Sequence, residues 1–322
     1  VVSDTLSHVA RSLGPRAEVD HPLGALTTYR VGGPAALFYE ARSSADLLAV
    51  RKAVVGTQVP LLVVGKGSNM LVADAGFDGL AIRLGPELGA IDITTKEGTG
   101  GLPSVRAGGA AGLPVVARRA VEAGVAGLEW AVGVPGSVGG AVKMNAGGHG
   151  ADIASCLVRC RWLDLASERE GESVSADLGF GYRRSSISRS EVVVWAELSG
   201  TAGTSEAGRR ALSEIVRWRR EHQPGGSNAG SVFTNPDGDS AGRLVEEAGL
   251  KGFRMGSAQV SVKHANFIQA DDHGSADDVR RLIEHVARTV EARLGITLRT
   301  EVHLIGFATG DNGRDGDGDQ EH

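Results

Sequence analysis

Residues Gly127 to Gly150 read GLEWAVGVPGSVGGAVKMNAGGHG, eight glycines in twenty-four residues, closing on Asn145-Ala146-Gly147. Backbone so rich in glycine loses much conformational entropy on folding and contributes nothing to a core. What it permits is close approach of main-chain N–H groups to a ligand, most often a phosphate. A Gly-rich surface loop has the same composition, so a second run carries weight. Val63 to Leu71 reads VVGKGSNML: the apolar, strand-like Leu61–Val64 leads into Gly-Lys-Gly-Ser-Asn, which again offers free N–H groups and short polar side chains. After residue 20 strand-like and helical segments alternate, the pattern of an α/β or α+β domain.

Neither loop is a standard nucleotide fingerprint. Gly65-Lys66-Gly67 lacks the third glycine of G-x-G-x-x-G, because Met70 stands there. As a P-loop it fails twice, with Gly67 after Lys66 and Pro60 at the first-glycine position. A Rossmann domain and a Walker ATPase are both poorly supported.

The 322 residues suffice for two or three lobes, and 41% hydrophobic content marks a globular chain. No apolar run approaches the roughly 20 residues of a membrane span, and the first residues, VVSDTLSHVARSLG, have no export pattern, so the expected compartment is the cytoplasm. A net charge of −5 argues against a general nucleic-acid binder. Cys156 and Cys160, four apart in a strand-like stretch, would be separated by roughly 13 Å at about 3.3 Å per residue, too far for a disulfide. They are also too few for a zinc site, so packing roles are expected and no metal is.

Along the chain, residues 1–20 read as a helix and then a turn. Ser44 can cap a helix carrying Leu47, Leu48, Val50 and Val54. Leu113–Ala123 is a helix stopped by Gly124. From Ala154 to Ser199 the pattern is mainly β, with CLVRCRWLDL and EVVVWAEL the clearest strands. A helix over Gly208–His222 breaks at Gln223-Pro224-Gly225-Gly226, where a new region begins. In it, Ser240–Ala248 is a short helix, VSVKHANFIQA a strand, and Ser275 with Asp278 a capping box for a helix built on Val279, Leu282, Ile283, Val286, Val290 and Leu294. LRTEVHLIG, 298–306, reads as the last strand. The polar tail that follows has no apolar anchor.

Eight motifs in order, TTYRVGGPA, VVGKGSNML, the 127–150 run, LGFGYRRSS, NAGSVFTNP, AGLKG, VSVKHANFI and LRTEVHLIG, resemble the UDP-N-acetylenolpyruvoylglucosamine reductase (MurB) family from about Leu26 to Gly306. The resemblance implies an α+β protein: an FAD-binding fold of the vanillyl-alcohol-oxidase (PCMH) type, made of two α/β lobes, plus a C-terminal α+β substrate domain. On that reading an N-terminal helical segment spans 1–20 and the FAD domain 21–200, with lobes about 21–85 and 86–200. The substrate domain spans 201–306, and 307–322 form a disordered tail. It further implies reduction of UDP-N-acetylglucosamine-enolpyruvate to UDP-N-acetylmuramate with non-covalent FAD and NADPH. Only 47 residues lie between Arg183 and Ser231, which fits the shorter, type II form of the family. His149 and His303 depart from residues frequent in the family at those places.

By family position, Arg183, Ser231 and Glu301 are the expected catalytic residues. Hydride addition to an enolpyruvyl double bond leaves negative charge on C2 and the carboxylate, which needs a cation and a proton. Arg183 would grip the carboxylate with its rigid fork, although an Arg after Gly-Tyr is ordinarily a surface charge. Ser231 would protonate C2 in a site closed to water, against the commoner use of such a Ser as a turn or cap hydroxyl. Glu301, its pKa raised by a second carboxyl group beside it, would donate a hydrogen bond to the enolate.

FAD contacts are expected mainly from backbone at Gly65, Gly67, Ser68, Asn69, Pro135, Gly136, Ser137, Gly139, Gly140, Asn145, Ala146 and Gly147, with Arg30 in addition. For substrate, Tyr182, Asn235, Lys251 and His264 are expected, with Lys263 and Arg220 also able to meet the charge of UDP. Two alternatives stand beside this reading: a flavin oxidase or dehydrogenase of the same superfamily, for which His149 is the only candidate covalent attachment point, and a non-catalytic flavin or nucleotide-sugar binder.

Overall fold

The computed structural model describes residues 4–95 and 102–307. The sequence-expected disordered tail, from residue 308 on, lies outside them. Helix α1 (Asp4–Leu13) buries Leu6, Val9 and Leu13 against a four-stranded sheet ordered Glu18–His21, Ala35–Ala41, Phe77–Leu84 and Leu61–Val64. The first pair is antiparallel and the others parallel. Residues 18–20, which read as a turn, are therefore edge strand, and their exposed side chains explain why periodicity misses them. Helix α2 (Ser44–Val54) covers the same sheet. Its cap is Ser43, not Ser44: Ser43 is extended and its hydroxyl accepts the Asp46 N–H.

A second, five-stranded antiparallel sheet runs Glu170–Val174, Leu157–Asp164, Glu191–Ser199, Ser104–Gly108 and Ile91–Thr94. Helix α3 (Leu113–Glu122) and the short α4 (Val138–Lys143) pack on it through Leu113, Val116, Val138 and Val142. Gly124, at φ +76°, ends the α3 region as the sequence suggested. Cys156 and Cys160 are free and buried in this core, and burial pushes their thiols up to about 12 and about 11. Helix α5 (Ser205–His222) starts three residues earlier than its apolar pattern indicates, because Thr204 caps it. Its Leu212 joins the second lobe's core, so contacts continue across residue 200.

The remaining region packs α6 (Ala241–Glu247) and α7 (Ala276–Leu294) on a three-stranded antiparallel sheet of Arg254–Met255, Ala258–Val260 and Ile268–Ala270. VSVKHANFIQA is thus not one strand: only its ends, Val260 and Ile268–Ala270, belong to strands. Between them the chain folds back, with Ser261 N–H donating to the Phe267 carbonyl and Phe267 N–H to that of His264. Ser275 caps α7 by accepting the Asp278 N–H, but the Asp278 carboxylate turns to Ser257, so the capping box is only half formed.

The expected strand 298–306 is likewise shorter, at His303–Ile305, and it pairs in parallel with the distant Met70–Val72. That crossing, with Tyr29, Val31 and Leu71 buried among Ala229, Val232 and Phe233, ties the first lobe to the C-terminal region. Asp74 reinforces it. From the loop after Met70–Val72 it accepts hydrogen bonds from the Ser275 hydroxyl (2.5 Å) and the N–H groups of Ala276 (2.9 Å) and Asp277 (3.2 Å).

Candidate active site

The two glycine loops face each other. A Cβ on Gly65 would collide with the Ser137 hydroxyl, and one on Gly136 would touch that of Ser68. Among the described residues, the N–H groups of Lys66, Gly67, Ser68 and Asn69 have no acceptor, an arrangement that suits an anion. Gly67 adopts φ +61° and packs on Leu26 and Thr27, while its carbonyl accepts the Thr28 N–H. Arg30 emerges from this 26–31 loop exposed, at φ +57°.

The second loop is less open than its composition suggested. The N–H groups of Gly136, Val138 and Gly139 donate to carbonyls of Val134, Ala111 and Gly109, and that of Gly140 to the Ser137 hydroxyl. Gly139 has no side chain because α4 lies close on the strand backbone at Gly109 and Val193. These glycines shape a wall, and Pro135 stands exposed at its rim.

Arg183 occupies the tip of a tight turn closed by reciprocal hydrogen bonds between Gly181 and Arg184, and takes φ +57°, an uncommon conformation for a residue with a Cβ. Its Nη2 donates to the Gly147 carbonyl at 3.1 Å. Its Nε lies 3.0 Å from Glu301 Oε1, yet the N–H points off the oxygen and makes no hydrogen bond. The contact is an ion pair without directed geometry. Both side chains are largely buried, at 25% and 14% exposure.

Glu301 is held at both ends of its own main chain. Its N–H donates to the Val232 carbonyl, next to Ser231, and its carbonyl accepts the Asn69 side-chain amide at 3.0 Å. The following His303 N–H donates to the Asn69 carbonyl. Burial raises the Glu301 carboxyl above its ordinary range, with Arg183 pulling the other way. The direction agrees with the sequence expectation, but within the chain alone the cause is desolvation, not a second carboxylate. The Ser231 hydroxyl is half-buried and has no hydrogen-bond partner among the described residues.

Of the expected substrate residues, Tyr182 is 60% exposed beside the Arg183 guanidinium. Lys251 is paired with Glu246 at 2.9 Å. His264 is half-buried, with Nδ1 accepting the Asn266 N–H; burial first, then Lys251 and His222, depress its pKa. Lys263 donates to the Arg220 carbonyl. Asn235 is exposed and its side-chain oxygen accepts the Ala241 N–H at the start of α6. Among the described residues no cluster of three or more His, Cys, Asp or Glu side chains could hold a metal ion, and no helix is long and apolar enough to cross a membrane.

Residues 222–305 match the profile of the UDP-N-acetylenolpyruvoylglucosamine reductase C-terminal domain, and 35–176 that of an FAD binding domain. A UDP-N-acetylenolpyruvoylglucosamine reductase of Heliobacterium modesticaldum is 40% identical over 95% of this chain and 96% of its own length. One from Paramagnetospirillum magneticum is 41% identical over 91% and 92%. The crystal structure of the Thermus caldophilus reductase (MurB) superposes with a TM-score of 0.75 at 34% identity, covering 90% of this chain and 99% of that one. The chain belongs to the UDP-N-acetylenolpyruvoylglucosamine reductase family.

Within the reductase family's motifs, sequence reading missed the partners that hold the expected site residues. Tyr29 in the TTYRVGGPA motif is wholly buried against the segment that leads to Ser231. Asp74 caps α7 from the loop after Met70–Val72. An Asp two residues past an apolar strand gives no local sign of this, since its partners lie some two hundred positions away. Asn69, whose backbone is expected beside the cofactor, also sends its side-chain amide to the Glu301 carbonyl.

Proposed function

We propose that the protein is an NADPH-dependent FAD enzyme that reduces UDP-N-acetylglucosamine-enolpyruvate to UDP-N-acetylmuramate for peptidoglycan precursor synthesis, working in the cytoplasm. One observation carries the reading. Arg183, Glu301 and the segment bearing Ser231 come from three separate parts of the chain and meet beside the Gly65–Asn69 loop.

The residues present fit FAD: a loop whose four N–H groups have no acceptor among the described residues faces a wall that carries no side chain at Gly136. Lys66 to Asn69 would hold the anionic diphosphate, with Arg30 beside them and Pro135, Ser137, Asn145, Ala146 and Gly147 forming the facing surface. When bound, FAD supplies the two-electron chemistry that connects NADPH to the enolpyruvyl group.

The chain's own residues handle charge and protons. Negative charge developing on the substrate carboxylate and C2 would be met by the Arg183 guanidinium, whose Nη1 makes no hydrogen bond among the described residues. Glu301, biased toward its protonated form by burial, would donate to the same charge. Ser231 would deliver the proton to C2, its hydroxyl being unspent elsewhere. Tyr182 at the rim, and Asn235, Lys251 and His264 in the C-terminal region, would serve the sugar nucleotide.

Acid precipitation of the yellow protein should release all flavin as FAD, and NADPH should bleach the native colour. Flavin retained on the precipitate, or a protein that binds no FAD, overturns the reading.

A further inference from the structure

The Asn145 side chain is fully committed to protein. Its Oδ1 accepts the Ala154 N–H at 2.9 Å. Its Nδ2 donates to Asp152 Oδ2 at 3.2 Å and to the Gly181 carbonyl at 3.0 Å. One acceptor and two donors are all that a carboxamide's two ends need here, and the Ala154 N–H on one side with two oxygens on the other fixes which end is which. Asn145 is buried and adopts φ +41°, a left-handed conformation that Asn tolerates better than most residues.

Gly181 is the base of the turn that presents Arg183. That turn is short, its other residues Tyr182 and Arg184 are exposed, and Arg183 itself sits at positive φ. Among the described residues two hydrogen bonds anchor the turn to the body, Asn145 to the Gly181 carbonyl and Arg183 Nη2 to the Gly147 carbonyl two residues after Asn145, beside the Arg183–Glu301 ion pair. Both run to the same Asn145-Ala146-Gly147 stretch. Aspartate at 145 would fit the space and the backbone conformation and could still accept from Ala154, but it would turn an acceptor toward the Asp152 carboxylate and the Gly181 carbonyl.

We propose that Asn145 is a positioning residue for the reductase reaction: it acts through the Gly181 carbonyl to hold Arg183 over the substrate carboxylate, and its side chain is not a cofactor ligand. The inference rests on the role proposed for Arg183.

The test is a double-mutant comparison of Asn145→Asp and Arg183→Ala, read as single-turnover reoxidation of the NADPH-reduced enzyme by UDP-N-acetylglucosamine-enolpyruvate. Displacing an aligned group by about 1 Å can cost on the order of a hundredfold, so Asn145→Asp should slow reoxidation by about that factor in the parent enzyme. In the Arg183→Ala background the same change should cost less than about threefold, because the group it positions is gone. Amide hydrogen exchange across residues 178–186 of the flavin-free protein should also quicken in Asn145→Asp. Full, multiplicative losses in the two backgrounds, or unchanged exchange, overturn the positioning role. Should Asn145→Asp fail to fold, Asn145→Gly, which removes the amide that holds the Gly181 carbonyl and accepts the positive φ, is put through the same comparison with the same deciding outcomes. If the parent enzyme itself is not reoxidised by this substrate, the function reading fails instead, and the exchange measurement still decides whether Asn145 holds the turn.

Discussion

Arg183→Lys separates charge from shape at the centre of the site. In the native arrangement the guanidinium uses two nitrogens at once: Nε lies 3.0 Å from Glu301 Oε1, and Nη2 donates to the Gly147 carbonyl at 3.1 Å. The third nitrogen is left for the substrate. A lysine ammonium is a point charge on a flexible stem, which can approach Glu301 or Gly147 but cannot span both while also facing a ligand. Backbone strain cancels in the comparison, since either side chain carries a Cβ into φ +57°. What is lost is one aligned donor to developing charge, a loss of about 10²–10³ in rate, or ~2.7–4 kcal/mol of barrier. Stopped-flow reoxidation by UDP-N-acetylglucosamine-enolpyruvate, with bleaching by NADPH measured separately and circular dichroism to confirm folding, reads the effect. Reoxidation should fall by that factor while bleaching changes by less than about threefold. Reoxidation within about threefold of the parent, or equal losses in both steps, would show that Arg183 has no special hold on the reacting carboxylate.

Ser231→Ala should slow reoxidation by about a hundred- to ten-thousand-fold and leave bleaching near normal; equal losses in the two half-reactions would make Ser231 a structural hydroxyl. Glu301→Gln, which keeps a neutral donor, should retain far more reoxidation than Glu301→Ala or the shortened Glu301→Asp, and a Gln variant as inactive as the Ala one would point to an ionised Glu301. The raised Glu301 pKa also fixes a sign. Below its ordinary value of 4.5 folded and unfolded chains both hold the proton, and as pH rises the unfolded chain releases it first, so this group's contribution to stability declines until the folded group has ionised. The urea midpoint of Glu301→Gln should therefore gain on the parent from about pH 4.5 upward, and parallel pH curves would contradict it. Asp74→Ala removes the acceptor of two α7 N–H groups and the Ser275 hydroxyl and should cost about 1–2 kcal/mol in urea unfolding; an unchanged midpoint would mean that Ser275 alone caps the helix.

Local signals served the sequence reading well where physics is local. Apolar strands such as Leu61–Val64, the amphipathic α7 and the stop at Gly124 each announce themselves within a few residues. The reading failed where distant partners decide. Residues 298–306 alternate like one strand, but the segment divides between two partners: Thr300 bridges Phe233 in antiparallel fashion, and His303–Ile305 pairs in parallel with Met70–Val72. VSVKHANFIQA has strand composition, yet the buried Asn266 side chain bonds to both the Phe233 N–H and carbonyl and bends the chain there. The catalytic candidates were legible as motifs, and their mutual placement was not. Nothing near Asn145 in sequence reveals that its amide reaches Gly181, or that glycines 136 and 139 spend their N–H groups on Val134 and Gly109.

The central claim is that these residues serve reduction of an enolpyruvyl ether, and one measurement addresses it directly. Purified protein reconstituted with FAD is bleached anaerobically with one equivalent of NADPH and then mixed with UDP-N-acetylglucosamine-enolpyruvate. The yellow colour should return within the turnover time, with one equivalent of UDP-N-acetylmuramate formed per flavin. Flavin that stays bleached with this substrate until oxygen is admitted would contradict the account.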